Sequence, residues 1–222
     1  MDLVPGVTLD ALLAADGPQP FERLARLGGQ ALEALEEAHR AGIVHRDLKP
    51  ANVMVTTGRT GEEEARIFDF GVAKAVDAAG PDLSLTRAGC TVGTPTYMSP
   101  EQAMGLQLGA PSDVYALAVV LYESLCGCLP YALDVDAEDV QHAIFTALLS
   151  DPPLDPREVL SDLPSAAAEV LLTALAKDPA RRYPSALAFR DALITAARAT
   201  ADRPTPRRFT AWLGERLRRT SG

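Results

Sequence analysis

Ile43-Val44-His45-Arg46-Asp47-Leu48-Lys49-Pro50-Ala51-Asn52 places a carboxylate, an ammonium and a carboxamide within the six residues from Asp47 to Asn52, and Ile67-Phe68-Asp69-Phe70-Gly71 adds a second carboxylate ahead of a glycine. Moving a phosphoryl group from a nucleotide requires cations to offset phosphate charge, oxygen ligands for those cations and a carboxylate to take a hydroxyl proton. Asp47, Lys49, Asn52 and Asp69 supply one candidate for each role. Taken singly each has a plainer reading, since an Asp near a turn is usually a cap and an isolated His such as His45 a packed core residue. Their order and spacing carry the chemical signal.

The flanking patterns say how these residues are positioned. Residues 1–8 read as an extended piece with a turn at Pro5-Gly6, and Leu9 to Ala15 as one or two helical turns. From Pro20 to Ala41, Leu24, Leu27, Ala31, Ala34, Leu35 and Ala38 recur at three- and four-residue steps, which predicts a helix weakened at Gly28-Gly29 and ended by Gly42. Val53-Met54-Val55 and Ala65-Arg66-Ile67-Phe68 read as strands of a hairpin that holds Asn52 and Asp69 at neighbouring strand ends. Between Asp69 and Glu101 there is no periodicity over a length that suits a functional loop, and this loop carries Ser84, Thr86, Thr91, Thr94 and Thr96. Ser112 to Leu125 is apolar nearly all round, which predicts a buried central helix capped by Ser112 or Asp113. Three further helices are expected near 137–149, 165–177 and 184–199.

Composition narrows the functional classes. A net charge of −9 disfavours a nucleic-acid binder, which displays excess Lys and Arg to meet phosphates. The charge is uneven: residues 203–222 hold six Arg against one Glu, +5, which leaves −14 for the remainder. After Arg203-Pro204-Thr205-Pro206, Phe209, Trp212, Leu213 and Leu217 share one helical face, suited to packing on the body or, less well, to an anionic membrane surface. Arg supplies all the cationic side chains except Lys49, Lys74 and Lys177. Cys90, Cys126 and Cys128 are too few for a disulfide framework and read as thiols in a reducing compartment. No signal peptide or bilayer-spanning run is visible, so the expected location is cytoplasmic.

His45-Arg46-Asp47-Leu48-Lys49-Pro50-x-Asn52 resembles the catalytic loop of protein kinases, Asp69-Phe70-Gly71 their metal-binding loop, and Ser99-Pro100-Glu101 the segment that closes their activation loop. The resemblance runs from about residue 1 to 200 and implies a mainly α fold of the α+β class: a kinase-like C-terminal lobe, a helical bundle around a central helix, with a small β-hairpin at the cleft. Residues 1–200 would form the hinge and large lobe, and 201–222 a basic linker and amphipathic helix. The resemblance implies catalytic roles for Asp47, Lys49 and Thr94, Mg²⁺ ligation by Asn52 and Asp69, and ATP contacts from Met1, Leu3, Lys49, Asn52, Met54 and Asp69. Lys49 with Gly93-Thr94-Pro95-x-Tyr97 is similar to the serine/threonine-specific form, so the implied substrates are protein Ser and Thr hydroxyls, with a kinase dimer or autophosphorylation partner as a further expectation. Ser99-Pro100-Glu101-Gln102-Ala103 brings the chain nearest to bacterial members.

The resemblance also implies that Asp113 holds the catalytic-loop backbone, that Glu101 pairs with Arg182, that His45 stacks with Phe70, and that Arg46 receives a phosphate on Thr86 or Thr91. Ahead of His45 there is neither a Gly-x-Gly-x-x-Gly nor a lysine. Met1-Asp2-Leu3-Val4-Pro5-Gly6 is similar to the hinge, so the family's small lobe has no counterpart here. Residues 1–222 alone are therefore expected to have little activity, and a truncated pseudokinase acting as a scaffold or decoy is the alternative.

Overall fold

A helix that is apolar on every side has to be wrapped by others, and Ala110–Cys126 is such a helix, with fourteen residues from Ser112 to Cys126 buried. In the computed structural model, residues 6–58, 60–70, 95–131 and 140–200 are described. They form β1 (Gly6–Thr8), α1 (Leu9–Asp16), α2 (Phe21–Arg40), β2 (Val53–Thr57), β3 (Glu63–Ile67), α3 (Pro100–Ala103), α4 (Ala110–Cys126), α5 (Val140–Ser150), α6 (Pro156–Val159), α7 (Ser165–Ala174) and α8 (Ala186–Thr200), with 3₁₀ turns at Pro50–Asn52, Pro95–Tyr97 and Pro179–Arg181. Helices α2, α7 and α8 pack around α4.

The expected hairpin is present with a third strand added. β1, β2 and β3 form one antiparallel sheet in that order, with Thr8 opposite Met54 and Val53 opposite Ile67. The extended N-terminal piece thus supplies an edge strand, a long-range pairing that local patterns do not reveal. The other edge, β3, is covered by α2. Gln30 Oε1 accepts from the Ala65 N–H, Arg26 donates to the Glu63 carbonyl at 2.9 Å, and Arg23 and Arg26 both grip the Glu63 carboxylate. Those side chains satisfy the open edge and tie α2 to the strand that leads to Asp69.

Two corrections concern helix ends. Neither Ser112 nor Asp113 is the N-cap of α4: the helix begins at Ala110 behind Gly109, Ser112 stands at the third helical position where its Oγ accepts from the Gly109 N–H, the return half of a capping box, and donates to Glu101, and Asp113 faces α2. The segment expected as 165–177 is helical only to Ala174, with Lys177 turned to other partners. At the end of α2, Gly42 is left-handed (φ 75°), its N–H reaches the His39 carbonyl, and the Ile43 N–H reaches Ala38, a Schellman closure that aims the chain into the site.

The glycine pair inside α2 divides in role. A Cβ on Gly28 would stand 3.0 Å from Leu121 Cδ2 and 3.3 Å from Leu193 Cδ2, whereas one on Gly29 would meet Ile194 Cδ1 at an ordinary 3.5 Å. Overpacking typically costs about 1–3 kcal/mol, offset here by about 1 kcal/mol of helix propensity. Gly28→Ala is expected to lose about 1 kcal/mol net and Gly29→Ala to be neutral or stabilising. Denaturant midpoints of the two variants check this; an unchanged midpoint for Gly28→Ala would show that Leu121 yields freely.

Lys177 ends in a half-buried position where Nζ donates to the Ala147 carbonyl at 3.1 Å and the Leu148 carbonyl at 2.6 Å, 4.3 Å from the Tyr131 ring centroid. Burial pushes its pKa down from 10.5 to about 8, against the pull of Asp151 and with repulsion from Arg182. A neutral amine still has two N–H donors for the two carbonyls. Because the folded-state pKa lies below the unfolded one, folding releases a proton, so this group adds stability as pH rises from about 8 toward 10.5 and nothing below. The thermal midpoint of the wild type minus that of Lys177→Met is expected to climb over that interval; a flat difference would refute the assignment.

Candidate active site

The segment from His45 to Asn52 has no regular ladder of its own until the 3₁₀ turn at Pro50–Asn52, so its backbone must find partners elsewhere. Asp113, with 1% of its side chain exposed, provides them. One carboxylate oxygen accepts from the His45 N–H at 2.8 Å and from His39 Nε2 at 2.8 Å, and the other from the Arg46 N–H at 3.0 Å. Arg46 sits at φ 67° and Asp69 at φ 61°, the two left-handed non-glycine residues among those described. Such backbone strain costs about 1–3 kcal/mol per residue and persists where surrounding contacts over-determine it. At Arg46, Asp113 is that contact, joined by Gln102 Nε2, which donates to the Arg46 carbonyl at 2.9 Å.

His45 joins the two loops. Its fully buried ring lies 4.6 Å from that of Phe70, tilted by 48°, while Nε2 meets the Phe68 carbonyl at 3.1 Å and Nδ1 accepts from the Asp47 N–H at 3.3 Å. That pairing makes Nε2 the donor nitrogen. The Phe68 N–H in turn donates to the Asn52 carbonyl at 3.2 Å. The residues leading to Asp69 are therefore bound directly to the loop bearing Asp47 and Asn52, as the hairpin reading expected.

Within the loop, Lys49 Nζ stands 3.2 Å from Asp47 Oδ2, with both side chains partly exposed. Asn52 is 4% exposed, and its Nδ2 donates to the Asp47 carbonyl at 2.8 Å. The Asp69 side chain is solvent-exposed. Met54 is half-buried in β2, between Thr8 and Arg66 on the neighbouring strands. Met1, Leu3 and Thr94 lie outside the described residues, as do Thr86, Thr91, Cys90 and the segment 201–222. Cys126 is buried and Cys128 half-buried, both as free thiols.

Behind the site, Glu101 and Arg182 form the expected pair in a doubly bonded arrangement, 2.8 Å at each contact, with Ser112 Oγ donating to Glu101 at 2.7 Å. Sequence reasoning did not single out His39, Gln102 or Glu123. His39 is a polar residue in the last turn of α2, where its type carries no special signal, and nothing in the spacing of Gln102 marks it as a loop partner. Glu123 accepts from the Tyr97 hydroxyl at 2.6 Å, and burial raises the pKa of both groups, with the carboxylate raising that of Tyr97 further.

Residues 1–193 match the protein kinase domain family. The chain belongs to that family. It is 41% identical over 190 residues to serine/threonine-protein kinase pkn3 of Myxococcus xanthus, covering 86% of this chain and 34% of that protein. It is 40% identical over 206 residues to serine/threonine-protein kinase PknA of Mycobacterium tuberculosis, covering 93% and 44%. The crystal structure of the Mycobacterium tuberculosis PknI kinase domain superposes with a TM-score of 0.63 at 26% identity, covering 88% of this chain and 64% of that one. This kinase chain thus spans between a third and a half of the length of these two curated relatives, and its helical bundle with a small sheet is a protein kinase fold.

Proposed function

We propose that the chain provides the hinge and large lobe of a serine/threonine protein kinase that transfers the γ-phosphoryl group of ATP to Ser and Thr hydroxyls of proteins. The observation that carries this reading is the pairing of Lys49 Nζ with Asp47 Oδ2 at 3.2 Å on a loop whose strained backbone is hung from Asp113. Asp47 is the base that orients and deprotonates the substrate hydroxyl. Lys49, within reach of the same oxygen, places a positive charge where the transferred phosphate gains negative charge. Thr94 completes the catalytic set on the substrate side. Met1, Leu3 and Met54 line the adenine.

The donor set fits Mg²⁺. Asn52 and Asp69 offer hard oxygen ligands, and the amide nitrogen of Asn52 is engaged with the loop, which leaves the oxygen as its ligating end. Mg²⁺ takes one or two protein ligands and completes its shell with phosphate and water, a demand that two such side chains can meet. When bound, Mg²⁺ would supply charge neutralisation at the β- and γ-phosphates. Arg46 Nε is buried without a hydrogen-bond partner among the described residues, which supports its role as the receiver of a phosphorylated Thr86 or Thr91, added by a second kinase molecule. Among the described residues no helix is long and apolar enough to cross a membrane. The proposed location of the lobe is the cytoplasm, where ATP is available.

In the complete enzyme, Asp47→Asn is expected to lower kcat by about 10²–10⁴, the worth of a positioned general base. Asp69→Asn should abolish the thermal shift that Mg²⁺-ATP produces while leaving the ligand-free midpoint unchanged. Undiminished phosphorylation of a protein substrate by Asp47→Asn would sink the proposal.

A further inference from the structure

A shallow groove runs between α2 and α8. It is lined by Ala25, Arg26, Gly29, Gln30 and Glu33 of α2 and by Ile194 of α8, and has a volume of about 280 Å³. That is below the roughly 300–1,000 Å³ of a small-molecule pocket and suits one or two large side chains. Its floor is apolar, formed by Ala25, Gly29 and the half-exposed Ile194, while Arg26 and Gln30 are engaged on β3.

Gly29 gives the groove its depth without a packing reason. Unlike Gly28, it would accept a Cβ at ordinary contact distance, yet a glycine inside a helix costs about 1 kcal/mol relative to Ala. Filling the groove from within would therefore be favourable for the isolated body, which points to an occupant from outside it.

We propose that the occupant is the chain's own C-terminal segment, residues 207–219, seated as an amphipathic helix with Trp212 and Leu213 as its anchors. Three features favour this segment. Helix α8 runs antiparallel to α2, with Arg190 against Glu33 and Ile194 against Gly29, so the groove lies only six residues before Thr200. Residues 201–206 can extend about 20 Å, and Pro204 and Pro206 stop α8 from simply continuing, so the chain can turn back over the groove it has just left. Phe209, Trp212, Leu213 and Leu217 then present one apolar face about 12 Å long.

The charges agree at one end of the groove. Residues 207–219 carry five Arg against one Glu. The Glu33 end of the groove is the acidic one, where Glu33 and Asp191 share Arg190 and Glu37 is exposed on the next turn of α2, whereas at the other end Arg26 and Arg23 share Glu63. A second copy of the chain or an anionic lipid surface would need the same apolar face, and the test separates them.

Trp212 is the only tryptophan in the chain, so its fluorescence reports the occupant directly. In the 222-residue protein its emission is expected to be blue-shifted and its acrylamide quenching several-fold weaker than in Leu213→Glu. Gly29→Met, which fills the groove, should move the emission to that of solvent-exposed indole while the helical circular dichroism melt of the body stays cooperative. Ile194→Gln, altering the other wall, should do the same. Exposed Trp212 in the wild type would overturn the proposal, as would protection indifferent to both groove variants. Protection that scales with protein concentration would assign the face to a second copy, and protection only on adding phosphatidylglycerol vesicles would assign it to a membrane; either result also overturns it.

Discussion

Arg182→Ala is expected to destabilise the protein by about 3–5 kcal/mol, the cost of breaking a buried ion pair from one side. At about 2–4 °C per kcal/mol for a domain of this size, the thermal midpoint should fall by roughly 6–20 °C. The guanidinium is fully buried and its partner carboxylate nearly so. Besides Glu101 it donates to the carbonyls of Ala176, Pro111 and Lys177 and lies 4.7 Å from the Tyr115 ring centroid, so one side chain joins α3, the start of α4 and the segment after α7. Removing it leaves Glu101 charged in a dry site with only Ser112 as a side-chain donor.

The same pair predicts acid sensitivity. Burial pushes the Glu101 carboxyl up, but Arg182 and Ser112 pull it further down, and it ends below the usual glutamate value. A depressed folded-state pKa means that this stability is fully present above the unfolded glutamate pKa and is lost as pH falls through the folded one. Glu101→Gln should therefore flatten the acid limb of the stability curve. Replacing both partners with Glu101→Leu and Arg182→Met should cost far less than Arg182→Ala alone, because the uncompensated charge is gone. Equal losses in the two variants would show that the pair itself, rather than the orphaned charge, carries the energy.

Asp113→Ala should affect both stability and catalysis. It strands three donors, the buried N–H of His45 and the partly buried N–H of Arg46 and Nε2 of His39. Each unsatisfied donor costs about 1–3 kcal/mol, and with partial relaxation about 3–5 kcal/mol is expected in total. Without those bonds Arg46 has little reason to stay at φ 67°, and the loop can relax to a common conformation that moves Asp47. A displacement of 1 Å at a reacting group costs about a hundredfold in rate. The complete enzyme carrying Asp113→Ala should thus lose at least 10² in kcat, with hydrogen exchange accelerated across residues 43–52. Asp113→Asn keeps one acceptor oxygen and should fall between. Wild-type exchange in that loop together with lost activity would mean that Asp113 acts on catalysis by another route.

Much of the fold was legible because its signals are local. The α2 stripe of Leu24, Leu27, Ala31 and Leu35, the all-apolar α4 and the short β-branched and apolar runs of β2 and β3 each follow from side-chain pattern within one element. What was misread depends on distant chain. Ser112 reads as a cap because a hydroxyl near a helix start usually is one, but the helix starts two residues earlier, so Ser112 stands at its third position, accepting from the Gly109 N–H while donating to a buried Glu101 eleven residues back. The pairing of β1 with β2, the use of Gln30 to close the β3 edge, and the roles of His39, Gln102 and Glu123 are contacts between segments tens of residues apart. Residue type and spacing do not encode them.

By itself the sequence determined which groups are available for chemistry: Asp47, Lys49, Asn52 and Asp69, in an order and spacing that resemble the catalytic and metal-binding loops of protein kinases. The tertiary structure decided how they are held. A buried carboxylate on α4 bends the backbone of the loop ahead of Asp47 into a strained conformation, and His45 bonds that loop to the one carrying Asp69. The reason is that a motif lists donors and acceptors along the chain, whereas strain is sustained only by partners that folding brings from elsewhere, here from residues 23 and 68 positions away.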